Sequence, residues 1–539
     1  MMAANLHLPC IAMRPALLPP VPPTRIEAHF GDRLVRCFAE RPAHLNNLLT
    51  LALQTHGEAP AIIAGAQRIS YAELDARSRR VAAGLAEGGI QAGERIALYT
   101  GNCPEFVVAA LAAWRLGAII VPLNPRNSRD ELAYMLGQCG AAAIVFEAEY
   151  AERVPDAAAA PSVRRRYVIG SAPGAQSFAA LEASQGDIEA AAPPQEQAAV
   201  ILYTSGTTGR PKGAMLTHLN LISSVLHFEV ALGLTVTDRS LLAVPISHVT
   251  GLVAILLPLL HLGGTVVMLR DFKAPDFLAL AARERITYTL VVPAIYNLIL
   301  RAPEFSGHDL SAWRIGGFGG APMPEPTIVE LARQLPGLTP VNAYGATETT
   351  SPATAMPLGL QAAHLDSVGR ILPCADIRVM DDAGIEVAPG QPGELWIAGP
   401  MVVPGYWDNP EATAREFCAG YWKSGDIGSI DAEGYVRVFD RKKDMINRGG
   451  YKVYSAEVES VLVAHPAILE AALIGVPDPV LGEKTHAHIV PRSTLDADAV
   501  RRYCAARLAD YKIPDFVTLR NEPLPRNPNG KVLKRLLRG

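Results

Sequence analysis

The sequence predicts an α/β protein: a large N-terminal region of several α/β subdomains that ends in a β-rich part, then a small α+β domain at the C-terminus. Three observations predict it. Helical and strand patterns alternate over residues 46–146 and resume at 198, as in parallel sheets layered with helices. Over residues 367–440 short apolar runs are broken by Asp381-Asp382-Ala383-Gly384, Pro389-Gly390-Gln391-Pro392-Gly393 and Asp431-Ala432-Glu433-Gly434, which are hairpin and turn signals. After Arg441 comes a unit of about 100 residues that reads hairpin, helix, two strands, helix and tail, large enough to be its own domain. The predicted divisions are a flexible extension over 1–45, the large region over 46–440 and the small domain over 441–539.

Taken in order, Arg14 and Arg25 with no acid before Glu27 resemble a transit peptide, but prolines 9, 15, 19, 20, 22 and 23 break any amphipathic helix there. A helix is predicted over 71–87, where Leu74, Val81 and Leu85 share one face, and another over 104–116, opened by its proline. Strands are predicted over 95–99, 143–146 and 198–203, with a connection rich in Ala, Pro and Gln over 151–197 interrupted by a strand at 167–170. Residues 239–270 carry no formal charge between Arg239 and Arg270, yet Pro245, Pro258 and Gly263-Gly264 cut the stretch. It reads as a buried strand, a loop, a buried helix from about Gly251 and a second strand, and not as a membrane span. In the C-terminal domain the prediction is a helix over 455–465, strands over 469–476 and 486–490, and a helix over 496–509.

Composition narrows the function. The 539 residues imply roughly three or four domain-sized units. Lys plus Arg number 49 against 53 Asp plus Glu, a net charge of −4, so there is no nucleic-acid footprint and any anion must be bound locally. Seven scattered cysteines, with no C-x-x-C pair and no zinc-ligand spacing, fit a reducing, cytoplasmic setting. There is no G-x-S-x-G elbow of a serine hydrolase.

The chemistry concentrates in Y-T-S-G-T-T-G-R-P-K-G over 203–213, after a buried strand and before a helix near Thr217. Its glycines allow close backbone approach, and its four hydroxyls, exposed N–H groups, Arg210 and Lys212 suit a polyphosphate. The spacing is not that of a P-loop. Read alone it could be a flexible surface loop. Three more pieces follow in order: N-A-Y-G-A-T-E-T-T (342–350), W-K-S-G-D-I-G (422–428) and N-P-N-G-K-V-L-K-R (527–535). With G-E-L-W-I-A-G (393–399) and D-R-K-K-D-M-I-N-R-G-G-Y-K-V (440–453), these strongly resemble the adenylate-forming superfamily of acyl-CoA synthetases, adenylation domains and firefly luciferase, over residues 47–539.

The resemblance implies ATP-dependent activation of a carboxylic acid to acyl-AMP with release of pyrophosphate, then transfer of the acyl group to coenzyme A. It implies Mg²⁺ and ATP as cofactors. Thr204, Ser205, Gly206, Thr207, Thr208, Gly209 and Lys212 would wrap the phosphates. Asn342 and Tyr344 would hold adenine, with Gly320, Ala321 and Thr347 lining the same site. Asp426 would take the ribose hydroxyls, with Arg441 beside it, and Thr204 and Glu348 would hold the metal. Lys531 would sit between the substrate carboxylate and the α-phosphate. His248 would stand between acyl pocket and thiol tunnel, and the mobile C-terminal domain would turn about Lys443 to bring Gly449-Gly450 to the site. Each has a plain alternative: Tyr344 a core tyrosine, Glu348 a surface acid, Asp426 a turn cap, Lys531 a solvated lysine, His248 a satisfied core group and the glycines turn chemistry.

The acid is expected to be fatty or aryl, since the apolar run over 249–260 suits a hydrophobic tail and no Asp stands where amino-acid-activating relatives pair an ammonium. The acceptor is free CoA or, alternatively, the phosphopantetheinyl arm of a separate carrier protein, because the chain ends eight residues after Lys531 without a fused carrier. A non-catalytic nucleotide-binding scaffold is the alternative of another class. Two departures from the family pattern are Ser455, where many relatives have proline, expected to be a helix N-cap, and Asn447, where some plant aryl ligases carry Lys.

Overall fold

The computed structural model describes residues 20–204, 210–321, 323–526 and 532–538. Ser205, Gly206, Thr207, Thr208, Gly209 and Lys531, together with residues 1–19 of the extension, lie outside them.

Two large sheets carry the N-terminal region. The first has seven strands in the order Lys212–Thr217, Ala198–Thr204, Ile119–Leu123, Arg95–Tyr99, Ala141–Glu147, Arg165–Ile169 and Gln176–Ser177, parallel except for the first pair. The second has nine, of which Thr339–Tyr344, Ile315–Phe318, Tyr288–Val291, Arg239–Leu242, Thr265–Met268 and Pro60–Ala64 run parallel at its centre. Parallel strands buried on both faces need continuous apolar runs, and Ala141–Glu147 is buried at every residue. The helix Pro104–Arg115 buries every residue from Phe106 to Trp114, and the Trp114 indole N–H donates to the Ala199 carbonyl at 3.0 Å. A helix apolar all round belongs in the interior. The helix His218–Leu232 starts with a reciprocal cap between Thr217 and Asn220 and stops at Gly233, whose φ is +54°. Its Asn220 amide also donates to the carbonyls of Pro400 and Val402, tying it to the β-rich part.

The uncharged stretch 239–270 is interior, as the interruptions predict. Strands Arg239–Leu242 and Thr265–Met268 pair in parallel, and between them the buried helix begins as a π-turn over Thr250–Leu256 before continuing as Leu257–Leu262. Gly251 is required there, because a Cβ would fall 2.4 Å from the Pro245 carbonyl oxygen. Among the described residues no helix is long and apolar enough to cross a membrane.

The β-rich part is a five-stranded antiparallel sheet of Asp376–Met380, Gly393–Ala398, Tyr421–Ile430, Phe417–Cys418 and Val436–Arg441. Beyond residues 442–445, strands Tyr451–Val453, Ile446–Arg448, Gly482–Pro491, Ile468–Asp478 and Phe516–Leu519 form the C-terminal sheet, flanked by helices Ser455–Val463 and Ala497–Ala505. This domain has its own apolar core around Ile446, Val458, Leu473 and Ile489, separate from the core that runs from Leu45 to Val436.

The structure differs from expectation at four places. Residues 24–38 are not a loose extension: Thr24–His29 and Arg33–Phe38 pair as an antiparallel hairpin, with Cys37 and Phe38 buried. The helix-breaking prolines precede the hairpin and leave its strand pairing intact. The hairpin is fixed by Arg41, whose guanidinium takes both Glu27 carboxylate oxygens at 2.6 and 2.9 Å, and by Arg33, which donates to the carbonyls of Val403 and Pro404. Within the connection 151–197 a short helix, Phe178–Glu182, buries Phe178 and Leu181. Arg441, assigned to the C-terminal domain, is the last residue of strand Val436–Arg441. Finally, Ser455 is not an N-cap: it is the first helical residue, the cap position is Tyr454, and that side chain makes no capping bond.

Candidate active site

Thr204 ends its strand facing Glu348, four residues beyond the end of strand Thr339–Tyr344, with Oγ1 3.5 Å from Oε1. Glu348 is buried, which pushes its carboxyl above the usual carboxylate range, and Tyr406 OH lies 2.8 Å from the same Oε1. The phenol stands equally near a second acid, 2.6 Å from Glu416 Oε2. The Lys212 ammonium closes the cluster: it lies 2.6 Å from both Glu416 oxygens and 4.2 Å from the centre of the Tyr406 ring. Lys212, expected at the phosphates, makes an ion pair with Glu416 in this structure. Glu348 and Thr204 offer two adjacent hard oxygen donors, the donor chemistry that Mg²⁺ takes, and Lys212 does not oppose a cation there because Glu416 neutralises it.

A second group forms where the β-rich sheet meets the nine-stranded one. Asp426 and Arg441 are cross-strand partners, and Arg441 Nε lies 2.8 Å from Asp426 Oδ1. Tyr344 OH donates to Asp426 Oδ2 at 2.7 Å. Burial disfavours the Arg441 charge, but Asp426 and the other acids around it hold the guanidinium above its usual pKa. Arg441 also donates to the Ser424 carbonyl at 3.1 Å, which fixes the plane of its fork. Asn342, paired in register with Phe318, donates its side-chain amide to the Ser367 carbonyl at 3.3 Å. Gly320, with φ +74°, and exposed Ala321 follow strand Ile315–Phe318, and Thr347 is buried next to Glu348.

His248 precedes the π-turn. Its Nδ1 accepts the Thr250 N–H at 3.3 Å, which assigns the proton of the neutral ring to Nε2, and burial lowers its pKa. Gly450 is not brought to this site. It is exposed, with open space where a Cβ would be, and with Gly449 it makes the two-residue turn between Ile446–Arg448 and Tyr451–Val453, both at positive φ. The positive φ values of this turn suit both glycines.

Comparison with known proteins adds to this geometry. Residues 49–407 match the AMP-binding enzyme family and residues 457–531 its C-terminal domain. The chain belongs to this family of adenylate-forming enzymes. Feruloyl-CoA synthase of an Amycolatopsis species is 36% identical over 485 residues, covering 88% of this chain and 94% of the relative. A long-chain-fatty-acid–CoA ligase of Mycobacterium tuberculosis is 35% identical, over 87% and 93%. The o-succinylbenzoate coenzyme A synthetase of Bacillus subtilis, solved in complex with ATP and magnesium ion, superposes with a TM-score of 0.81 at 32% identity, covering 92% of this chain and 99% of that one.

In this AMP-binding enzyme the sequence left Tyr406 and Glu416 unmarked. Tyr406 reaches Glu348 because the Met215 N–H donates to the Gly405 carbonyl at 3.1 Å and the Trp407 N–H to the Gly213 carbonyl at 2.7 Å, and Ala214 bridges Tyr406 itself. That pairing joins segments about 190 residues apart, and no local pattern announces it.

Proposed function

We propose that this AMP-binding enzyme joins a hydrophobic carboxylic acid, aryl or fatty, to coenzyme A through an acyl-adenylate. The observation that carries the reading is the hydrogen-bonded Tyr344–Asp426–Arg441 group together with the Thr204–Glu348 pair, an arrangement that suits a ribose and phosphates with a hard cation beside them. Asp426 takes the ribose hydroxyls and Arg441 holds it in place, while the Tyr344 ring lies against adenine. Residues 204–209 wrap the β- and γ-phosphates. Glu348 and Thr204 would hold Mg²⁺, which would supply positive charge at the phosphates. The substrate carboxylate oxygen attacks the α-phosphorus as the bond to pyrophosphate breaks, with the Lys531 ammonium beside the shifting charge. The thiolate sulfur of CoA then attacks the acyl carbon and AMP leaves. His248, whose Nδ1 accepts the Thr250 N–H, is the neutral imidazole assigned between acyl pocket and thiol tunnel.

An aryl or fatty acid is supported by the relatives named above and by the buried apolar helix that follows His248. Free CoA is favoured as acceptor, and the six described cysteines, all free thiols, suit a reducing cytoplasm. Pyrophosphate release with Mg-ATP, across straight-chain, branched, aromatic and amino acids with and without CoA, tests the reading. Turnover requiring one acid class and CoA is expected. Release that CoA leaves unstimulated would point to a carrier protein, and ATP binding without release on any acid would favour a non-catalytic role.

Tyr406→Phe removes the hydroxyl that holds Glu348 in place. It is expected to weaken Mn²⁺ binding in the presence of ATP by about tenfold, read by electron paramagnetic resonance. Unchanged affinity would make Tyr406 a packing residue only.

A further inference from the structure

Asp440 is the next-to-last residue of strand Val436–Arg441 and is paired with Ile427, so it belongs to the β-rich sheet. Its carboxylate nevertheless serves the C-terminal domain. Oδ2 accepts the N–H of Ser455, the first residue of helix Ser455–Val463, and Oδ1 accepts the Arg441 N–H at 2.8 Å. A helix without its own side-chain cap is therefore capped from across the linker 442–445.

On the other side of the same residue, Ser455 Oγ accepts from the Lys534 ammonium at 2.6 Å. Lys534 also pairs with Glu459 at 2.7 Å, and Glu459 accepts the Leu473 N–H at 2.7 Å. The tail from Val532 onward is fastened to the C-terminal domain, since Leu537 packs with Ala472 and Ile474. Ser455 and Lys534 therefore move as one body, and Asp440 does not move with them. Asp440 is 7% exposed and Ser455 fully buried, so the carboxylate keeps its place only while its N–H partners and the Lys534 charge face it.

We propose that Asp440 is a positioning residue: by capping the helix at Ser455 it holds the C-terminal domain in one pose against the β-rich sheet. This rests on the reading of Lys531 and of a turn about Lys443 given above. In the present pose Gly449 and Gly450 are exposed, so the latch belongs to the adenylating arrangement and opens before thiol transfer.

Two half-reactions test it: pyrophosphate release without CoA, and thioester formation from supplied acyl-AMP. Asp440→Ala is expected to lower kcat of the first about tenfold with KM for ATP unchanged, and to leave the second unimpaired. Asp440→Asn, which keeps an oxygen acceptor for Ser455, should recover most of the loss. Equal loss in both half-reactions, or no loss in either, would overturn the proposal. The pose is read separately by energy transfer between dyes on exposed Cys418 and on Val480→Cys, in a Cys10→Ser background. Asp440→Ala should broaden a single distance into two, and an unchanged distribution would overturn the latch. If Lys531→Ala leaves adenylation intact while the distances still broaden, the role given to Lys531 fails and the latch stands.

Discussion

Lys531→Ala is expected to lower the rate of acyl-adenylate formation by about 10² to 10³ and to leave thioester formation from supplied acyl-AMP nearly unchanged. The magnitude is that of removing one preorganised donor from a site where charge develops. Negative charge moves from the carboxylate to the bridging oxygen of the leaving pyrophosphate, and an ammonium between them stabilises the transition state more than the ground state. The segment that bears Lys531 is closed at its base, where Arg526 and Val532 pair and the Leu533 N–H donates to the Pro525 carbonyl at 2.7 Å, and it is fastened three residues on by Lys534. Single-turnover pyrophosphate release and acyl-AMP consumption, measured side by side, check it. Equal loss in both would remove Lys531 from its role.

Lys443→Pro is expected to keep pyrophosphate release and abolish thioester formation. The residue lies between two that are pinned to different bodies. Lys442 lies 2.8 Å from Asp382 and 3.2 Å from Glu394 in the β-rich part, whereas Asp444 lies 3.5 Å from Arg538 in the C-terminal tail. In this pose the linker is closed by the N–H groups of Asp444 and Met445, both donating to the Arg441 carbonyl. Turning the C-terminal domain must therefore be absorbed by the torsions of Lys443, and proline fixes φ near −65°. Thioester appearance and pyrophosphate release from the same reaction separate the outcomes, and Lys443→Ala should retain both. Thioester synthesis by the proline variant would place the hinge elsewhere.

The layered α/β architecture was legible because central strands such as Ala141–Glu147 are apolar runs and several helices open on a recognisable signal, Ser70, Pro104 or Thr217. Strand Arg95–Tyr99 and helix Tyr71–Glu87 fall where periodicity puts them. Thr204, Glu348, Tyr344, Asp426 and Arg441 were legible as ordered motifs, and the fold draws them into two neighbouring groups. What sequence left hidden is long-range. Lys212 stands out as a basic residue of the glycine-rich motif, but its partner Glu416, 204 residues away, is not marked by any local pattern. Ser455 reads as a cap by residue type, but the helix begins one turn-position earlier than that role requires, and the capping oxygen comes from Asp440. The hairpin 24–38 was masked by the prolines before it and by an irregular alternation, with Leu34-Val35 and Cys37-Phe38 adjacent in its second strand.

That hairpin also changes what the beginning of the chain is for. Arg33 donates to the carbonyl of Val403 at 3.4 Å, and the N–H of Val403 donates to the backbone carbonyl of Glu348 at 3.0 Å. Two bonds thus lead from a segment that composition marks as disposable to the acid at the centre of the site. The early strands act as a strut in series with Glu348, so a boundary trimmed ahead of residue 24 spares the catalytic floor, and one trimmed past it removes a beam.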